Sequence, residues 1–363
     1  MLNQFNQPLI VSNSTLFVDE IRSYFDNYKA FSSNLLNSHV ETQEDIDYYE
    51  TKIQKNIESI SECLVSYRNG HRIESANNFQ LLMLQNLKRL MMMLSSPETE
   101  KKSNHVFYRI RRGLVDLDER KKSPNHTLFH LPFNLRHLVG TGRFNSAGIP
   151  ILYLSDCLKI PYYECDEPKT AFCDDSDGFN NMNIGFFRNV KSFKFFDFSI
   201  QAWEDLIEKH NKRPTESPLL NYLVLYPIIA AIHVKINYSY SVNFRFDYVF
   251  SALIMDFVKN LEKDNVFRDI GLLLPIFSIK YSSVKLFSKQ TTINRHNECY
   301  SLHNYAFMAN YYDSHSHCIK LESIFLKNHN HKELYSESPF FEKYKNKALT
   351  EKDILDIESY LKS

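Results

Sequence analysis

Two arginines stand two residues apart in the segment Tyr108-Arg109-Ile110-Arg111. Side chains alternate along a β-strand, so a strand at this place would put Arg109 and Arg111 on the same face. Neighbouring guanidinium groups repel each other unless an anion lies between them, and each one binds phosphate oxygens through a planar fork. The spacing therefore predicts a site for a diphosphate. The alternatives are a solvated face or an ion-pair network.

A third arginine follows a cluster of glycines. Gly140, Gly142 and Gly148 lie close together in a chain that has only 8 glycines, so the backbone here must turn tightly or approach a ligand. Arg143 comes directly after Gly142, and the next apolar run ends near Tyr153, which offers an aromatic face. Glu164 follows at a position predicted to be helical. This stretch brings cations, an aromatic ring and a carboxylate into one short segment.

Other motifs narrow the choice of chemistry. The segment Tyr281-Ser282-Ser283 places two hydroxyl groups at the end of a predicted strand. The sequence contains no Walker loop, no GxGxxG and no GxSxG elbow, so kinase and serine hydrolase functions have no support. Histidine pairs at 315/317 and 329/331 lack acidic or sulfur partners at suitable spacing, so we expect solvated loop histidines and no metal site.

Composition limits the class of protein. The 363 residues carry 43 Lys and Arg against 43 Asp and Glu, and this zero net charge argues against a general nucleic-acid binder. The 6 cysteines form no CxxC pair, which favours free thiols in a reducing compartment. The N-terminus lacks the features of a signal peptide, and the longest apolar run, Tyr222 to Ile232, is too short to span a bilayer. We therefore expect a cytoplasmic protein that binds no membrane.

The elements that must position these residues fall into two kinds. Apolar spacing predicts helices from Leu16 to Leu36, after Thr42, and from Glu74 to Leu94, and Thr42 with Asp45 resembles a capping box. From residue 105 onward, strands alternate irregularly with helices, which indicates an α+β fold. Predicted strands include 106–110, 149–154, 184–187, 193–198, 276–281 and 305–309. Predicted helices include 200–210, a buried helix over 219–234, 247–261 and a short one over 350–361.

The region from about 105 to 325 resembles the RES domain family, which is named for its arginine, glutamate and serine. The resemblance is distributed over some two hundred residues and is closest to a long form with a helical N-terminal extension. It implies a helical region at 1–103, a RES domain at 104–328 and a C-terminal tail at 329–363. It rests on the segments YRIR (108–111), FHLPF (129–133), VGTGRFNSAGIPILYLS (139–155), Glu164 before Pro168, YPIIAAIHVK (226–235), FDYVFSALIMDFV (246–258), IKYSSVK (279–285) and HNYAF (303–307).

This resemblance implies a fold like that of ADP-ribosyltransferases, a mixed split sheet with flanking helices and a cleft for NAD. It implies a toxin or defence effector that cleaves the nicotinamide–ribose bond of NAD, by hydrolysis or by phosphorolysis with inorganic phosphate as co-substrate. The implied catalytic residues are Glu164, Arg143 and Ser283. Residues implied in binding NAD are Arg109, Arg111, Tyr153, Ser282 (the alternative to Ser283 as the motif serine) and Asn304.

This chain departs from the family pattern in three places, and two other functions remain as alternatives. The long form usually has an aromatic-Glu-Glu run where this chain has Tyr162-Tyr163-Glu164, and Pro161 must either lie in the first turn of its helix or kink it. Where relatives have a Pro-Gln pair, this chain has Ser251-Ala252. The alternatives are ADP-ribose transfer to a macromolecule and a nucleotide-binding module without turnover. The family also implies two further partners, an inhibitory antitoxin and a second copy of the chain.

Overall fold

The fold combines helices with a mixed sheet, as the pattern of elements predicted. The computed structural model describes residues 5–11, 17–94, 105–112, 128–165, 182–213, 217–236, 245–263, 276–284, 303–311, 315–325, 331–334, 340 and 351–362. The helices are α1 (Phe17–His39), α2 (Gln43–Arg68), α3 (Arg72–Gln85), α4 (Leu87–Met92), α5 (Lys159–Cys165), α6 (Trp203–Lys212), α7 (Pro218–Ile232), α8 (Val249–Lys263), α9 (Ile319–Phe325) and α10 (Glu351–Lys362). Short 3₁₀ turns cover Phe133–Leu138 and Phe246–Tyr248.

The strands form one large sheet and one small one. They are β1 (Ile10–Val11), β2 (Val106–Arg112), β3 (Ile151–Ser155), β4 (Met182–Arg188), β5 (Lys194–Asp197), β6 (Lys235–Ile236), β7 (Ile276–Ser282), β8 (His303–Met308) and β9 (His331–Leu334). The 7-stranded sheet has the order β5-β7-β8-β3-β2-β4-β9, and β1 pairs with β6. The large sheet is mixed because β5 and β7 are parallel whereas its other described pairs are antiparallel.

The two halves of the large sheet are sparsely joined. Strand β2 pairs with β4 along its whole length and β3 pairs with β8 along its whole length. Between β2 and β3, by contrast, the described strands pair at a single position, Tyr108 with Ser155, and we call this junction the split. Paired residues face the same side of a sheet, so Tyr153 lies on the face of Tyr108, whereas Arg109 and Arg111 lie on the opposite face. The split joins a half-sheet β5-β7-β8-β3 to a half-sheet β2-β4-β9.

Side-chain alternation on β2 agrees with the prediction. Phe107 packs in one apolar cluster with Phe129 and Phe187, whereas Tyr108 and Ile110 pack in another cluster with the C-terminal helix α10. Arg109 and Arg111 therefore extend on the face of Phe107, where sequence spacing had placed them together.

The N-terminal helices share one hydrophobic core with the rest of the chain. Helix α7 is apolar on every face and is surrounded by α1, α2, α6 and α8. Polar side chains fix these contacts. The Tyr28 hydroxyl donates to Leu223 O at 2.7 Å, and Asn56 Nδ2 donates to Val224 O at 2.8 Å. No helix in the described ranges is long and apolar enough to cross a membrane.

Two local predictions need correction. The single helix predicted from Glu74 to Leu94 is interrupted at Asn86, whose Nδ2 donates to Leu82 O at 2.9 Å and to Asn56 Oδ1 at 2.7 Å. Thr42 is the N-cap of α2 and accepts from Asp45 N at 3.2 Å, as expected. The Asp45 carboxylate, however, accepts from the Thr42 hydroxyl at 2.7 Å, so the described bonds do not form a reciprocal capping box.

Replacing Asn56 with alanine should destabilise the protein by about 1–3 kcal/mol, because the buried Asn86 amide loses its acceptor Asn56 Oδ1 and Val224 O loses a side-chain donor. Asn37 is the matched control, since it lies exposed on α1 and its Nδ2 only bonds Ser33 O within the same helix. Asn37→Ala should change the free energy of unfolding by less than about 0.5 kcal/mol. Urea unfolding of both variants measures the difference. Equal effects would show that the α2–α7 contact does not depend on this amide.

Candidate active site

A tight turn presents Arg143. Gly142 N donates to Asn145 O at 3.1 Å and Asn145 N donates to Gly142 O at 3.3 Å, so Arg143 and Phe144 form the tip of the turn. Gly148 has a φ of 82°, which favours glycine, and its amide donates to Val139 O at 2.9 Å. The glycine cluster seen in the sequence therefore serves a reversal of the chain just before β3.

Tyr153 holds this turn against the sheet. Its hydroxyl accepts from Phe144 N at 2.9 Å and donates to Asn145 Oδ1 at 2.9 Å. Asn145 Nδ2 in turn donates to Gly140 O at 2.9 Å. Burial raises the pKa of Tyr153, so the hydroxyl keeps its proton and remains a donor at neutral pH. The tyrosine that sequence reasoning chose for its aromatic face thus also orients the backbone on which Arg143 lies.

Arg143 reaches the C-terminal end of α7. Its Nη1 donates to Ile232 O at 2.6 Å and to Val234 O at 3.2 Å. A cation is favourable here because the last carbonyl groups of a helix carry partial negative charge and lack intrahelical donors. The Ser251 hydroxyl donates to the backbone carbonyl of Arg143. Both ends of this residue are therefore fixed by the helical part of the fold.

An aromatic ring and a second arginine lie beside Arg143. The Tyr248 ring has the Arg143 guanidinium carbon 4.8 Å from its centroid and that of Arg245 at 4.4 Å. Arg245 forms two bonds to the buried carboxylate of Asp247, at 3.0 Å and 2.7 Å. These described groups carry two positive charges and one negative charge. The surplus positive charge suits a site that receives an anionic ligand.

His233 connects the end of α7 to Ser282. Its Nδ1 lies 2.8 Å from Ile229 O and must donate, and its Nε2 accepts from Ser282 N at 3.2 Å. Burial, together with the nearby Arg143 charge, lowers the pKa of His233 to about 3, so the imidazole is neutral. The Ser282 hydroxyl accepts from Ile200 N at 3.0 Å. Ser282 thus has a role in the fold, and Ser283 lies buried directly after it.

Asn304 lies on the strand next to Ser282. It pairs with Ser155 and with Tyr281 in the sheet, and its Oδ1 accepts from the Ser155 hydroxyl. The Tyr281 ring packs on Phe144 with the centroids 4.7 Å apart. These contacts join the end of β7, the start of β8 and the Arg143 turn. The half-sheet containing β3 therefore gathers Arg143, Tyr153, Ser282 and Asn304.

The other two predicted arginines lie across the split, on β2. Arg109 Nη1 donates to Leu128 O at 3.1 Å and to Phe129 O at 2.7 Å, which holds the segment that crosses this face of the sheet. A Cβ on Gly185, opposite Arg109, would meet Leu128 Cβ at 3.2 Å, so that segment packs close to the strand. Arg111 is half-buried opposite Asn183. Arg109 is thus tied into the fold on the face where a diphosphate was predicted.

Glu164 lies one residue before the end of α5, and its side chain is outside the described part of the structure. Pro161 falls in the first turn of this helix, so the kinked alternative is wrong. Helix α10 supports α5 from the C-terminal tail. Glu358 Oε1 accepts from Leu158 N at 2.8 Å, and Ile354, Ile357 and Leu361 pack with Leu158 and Tyr162.

Comparison of the chain with family models, with curated proteins and with solved structures finds no match. In the described residues, no group of three or more His, Cys, Asp and Glu side chains could hold a metal ion. Sequence reasoning missed His233, Tyr248, Asn145 and Glu358 as members or supports of the site. Asn145 was within reach, since it stands two residues after Arg143. The other three are brought near by contacts between distant segments and carry no local signal.

The two glycines of the turn allow a controlled test. A Cβ at Gly142 would collide with Asn145 Oδ1 and would lie 3.0 Å from the Tyr153 hydroxyl, whereas a Cβ at Gly140 would meet nothing within 4 Å. Gly142→Ala should therefore displace Asn145, release Tyr153 and destabilise the protein by about 1–3 kcal/mol. Gly140→Ala should leave the melting temperature nearly unchanged. A similar effect of both changes would contradict the close approach at Gly142.

The lowered pKa of His233 predicts that the protein loses stability in acid. The unfolded chain protonates this residue near pH 6.5, whereas the folded protein does so only near pH 3, so the unfolded state binds more protons in between. The contribution is fully present above pH 6.5, and each pH unit below that costs about 1.4 kcal/mol until about pH 3. Urea unfolding at pH 7 and pH 5 should show the loss.

Substitution assigns this pH effect to His233. His233→Gln should reduce the dependence of the unfolding free energy on pH by about one proton. Asn37→Gln, an exposed change on α1 that involves no titrating group, should leave that dependence unchanged. An unaltered slope in His233→Gln would mean that this imidazole takes up its proton without cost in the folded protein.

Proposed function

We propose that this chain is an NAD-degrading enzyme of the RES domain type, with an ADP-ribosyltransferase-like fold, that cleaves the nicotinamide–ribose bond by phosphorolysis or hydrolysis. The observation that carries the proposal is the placement of Arg143. It lies at the end of α7 in a positively charged surrounding, beside a mixed sheet that splits between β2 and β3. The sequence resemblance supplies the other residues of the proposed site.

Anion binding is the first role. A diphosphate would meet Arg143 at the turn before β3, and we propose that Arg111 on β2 reaches it through the split, from the opposite face of the sheet. Binding energy from these contacts, remote from the bond that breaks, would orient the ribose for reaction. Arg109 is proposed as a second binding group on β2, and its Nη1, like that of Arg143, also positions the backbone by bonding two carbonyl groups. If inorganic phosphate is the nucleophile, the same cationic surrounding is suited to receive it.

Charge stabilisation is the second role, and we assign it to Glu164. Loss of nicotinamide leaves positive charge on the ribose, and a nearby carboxylate stabilises that oxocarbenium-like state. We assign Ser283 and Asn304 to hydrogen bonds with the ribose or the carboxamide. Ser282 is a weaker candidate for the motif serine, since its hydroxyl already accepts from Ile200 N. The face of Tyr153 would stack on nicotinamide while its hydroxyl holds the turn.

A cellular role follows from the chemistry. An enzyme that consumes NAD without control harms the cell that makes it, so we propose that the protein acts as a toxin or defence effector. An inhibitory antitoxin and a second copy of the chain are the partners that the family resemblance implies.

Incubation of the purified protein with NAD, with and without inorganic phosphate, followed by product identification, tests the proposal. Free nicotinamide together with ADP-ribose indicates hydrolysis, and a phosphorylated ADP-ribose indicates phosphorolysis. Label from NAD appearing on a protein band would favour ADP-ribose transfer. NAD that binds but stays intact would favour a module without turnover and would overturn the enzymatic proposal.

Glu164→Gln should lower the rate of NAD cleavage by roughly a hundredfold or more, because the amide keeps the volume of the side chain and loses its charge. Glu208→Gln is the matched control, since Glu208 lies exposed on α6 and pairs only with Lys212 in the described contacts. Both variants should melt at the temperature of the unaltered protein. Turnover by Glu164→Gln at the unaltered rate would place the catalytic carboxylate elsewhere in the chain.

Arg109 and Arg111 should respond differently to replacement with alanine. Arg111→Ala should weaken NAD binding by about tenfold to a hundredfold through lost charge-assisted hydrogen bonds. Arg109→Ala should in addition lower the melting temperature, since two buried carbonyl groups lose their donor. Arg22→Ala, an exposed arginine on α1, should change neither quantity. Calorimetric titration with NAD and a melting curve separate these results. Unchanged affinity in Arg111→Ala would remove β2 from the proposed site.

A further inference from the structure

A cavity lies at the outer edge of the large sheet, away from the Arg143 turn. It has a volume of about 390 Å³ and is enclosed by β5, the end of β7, α6, α7 and the residues that close α4. This volume falls within the range of roughly 300–1,000 Å³ that is typical of small-molecule sites. The connection after α4 closes one side, because Asp197 N donates to Met93 O at 2.9 Å and Leu94 forms a bridge with Phe196.

The polar floor of this cavity is an ion pair. Lys280 Nζ lies 2.7 Å from Asp197 Oδ2, and their side chains are only 15% and 29% exposed. Asp197 Oδ1 accepts from Ser199 N at 3.0 Å, so both carboxylate oxygens have donors. Burial alone would raise the pKa of Asp197, but Lys280 and the other nearby donors outweigh it and lower that pKa. The carboxylate therefore stays charged, with one described donor on each oxygen, and the ammonium group carries further N–H donors.

A second cation lies at the rim of the same cavity. Arg89 Nη2 donates to the Tyr48 hydroxyl at 3.1 Å, and its buried Nε has no hydrogen-bond partner within the described ranges. Among the described lining residues, Lys280 and Arg89 carry two positive charges and Asp197 carries one negative charge, so the charged groups of the cavity are net positive.

The remaining wall combines the amides of Gln201 and Asn221 with adaptable apolar side chains. Met92, Met93, Leu206 and Leu225 line it, and Met92 is 60% exposed at the mouth. Methionine side chains are unbranched and adjust to ligands of irregular shape. No part of the proposed NAD site uses these two methionines.

We propose that this cavity binds a small organic anion, with the acidic group held by Lys280 and Arg89 and an apolar body packed against Met92 and Met93. The site is separate from the candidate active site but adjoins it through β7. Lys280 extends to the cavity beside the Phe195 ring, while the next residue, Tyr281, extends to the opposite face and packs on Phe144.

A pair of fluorescent dyes tests the proposal. The anionic dye 8-anilinonaphthalene-1-sulfonate has an aromatic body and a sulfonate, and its neutral analogue N-phenyl-1-naphthylamine lacks the sulfonate. We expect the folded protein to bind one molecule of the anionic dye per chain, in a saturable manner, and more tightly than the neutral dye. Saturating NAD should not displace it. Displacement by NAD, or binding without saturation, would overturn the proposal.

Substitutions of residues that line the cavity test whether the dye binds there. The double change Asp197→Asn with Lys280→Met removes the ion pair without leaving one charge buried alone. It should weaken binding of the anionic dye by at least about tenfold, through loss of a charge-assisted hydrogen bond, and leave the neutral dye unaffected. Met93→Trp fills the cavity and should weaken binding of both dyes. Dye affinities that stay unchanged in both variants would refute the site.

An equivalent ion pair elsewhere serves as the control. Lys29 and Asp26 pair at 2.7 Å on the exposed side of α1, so Asp26→Asn with Lys29→Met makes the same chemical change away from the cavity. This control should bind both dyes as the unaltered protein does. A loss of anionic dye binding equal to that of the cavity variant would mean that general surface charge, and not Lys280, attracts the dye. Melting curves of all variants confirm that folded protein is compared.

Discussion

Helix α7 is apolar on every face, and the rest of the structure depends on burying it. A helix of this kind needs neighbours all round and donors for its last carbonyl groups. Helices α1, α2, α6 and α8 supply the neighbours. Arg143 supplies the donors that the end of the helix lacks. Its Nη1 donates to Ile232 O, the last carbonyl of α7, and to Val234 O just after the helix. The need for hydrogen-bond donors at the end of α7 thus fixes the position of the Arg143 cation beside the split.

This arrangement links stability to the candidate site. Arg143 completes the end of α7, His233 connects that end to Ser282, and Tyr153 holds the turn that carries Arg143. A group fixed in this way needs little rearrangement when a ligand arrives, which favours electrostatic stabilisation. The consequence is that substitutions here alter folding and binding together. Only paired measurements of melting and affinity, with controls outside the network, can separate the two effects.

Local rules predicted local features of this chain. Alternation placed Arg109 and Arg111 on one face, apolar content predicted the buried helix α7, and Thr42 was recognised as an N-cap. Local rules failed where a distant partner decides the outcome. Asn86 interrupts a periodic helix because Asn56, on another helix, binds its side chain. The split between β2 and β3 depends on which strands pair along their whole length, and no window of sequence contains that information.

The formation of α5, the helix that carries Glu164, likewise depends on a distant segment of the chain. With 7 residues, α5 is too short to be stable alone, because helix nucleation costs more than so few hydrogen bonds return. Its order must come from packing, and much of that packing comes from α10, almost two hundred residues later in the chain. Glu358 accepts from Leu158 N just before α5, while Leu158 and Tyr162 pack with Ile354 and Ile357. The position of the proposed catalytic carboxylate therefore depends on the C-terminal tail, which lies outside the region that resembles the RES domain. A fragment ending at residue 328 would keep every residue of the proposed site and lose the support of the helix that bears Glu164.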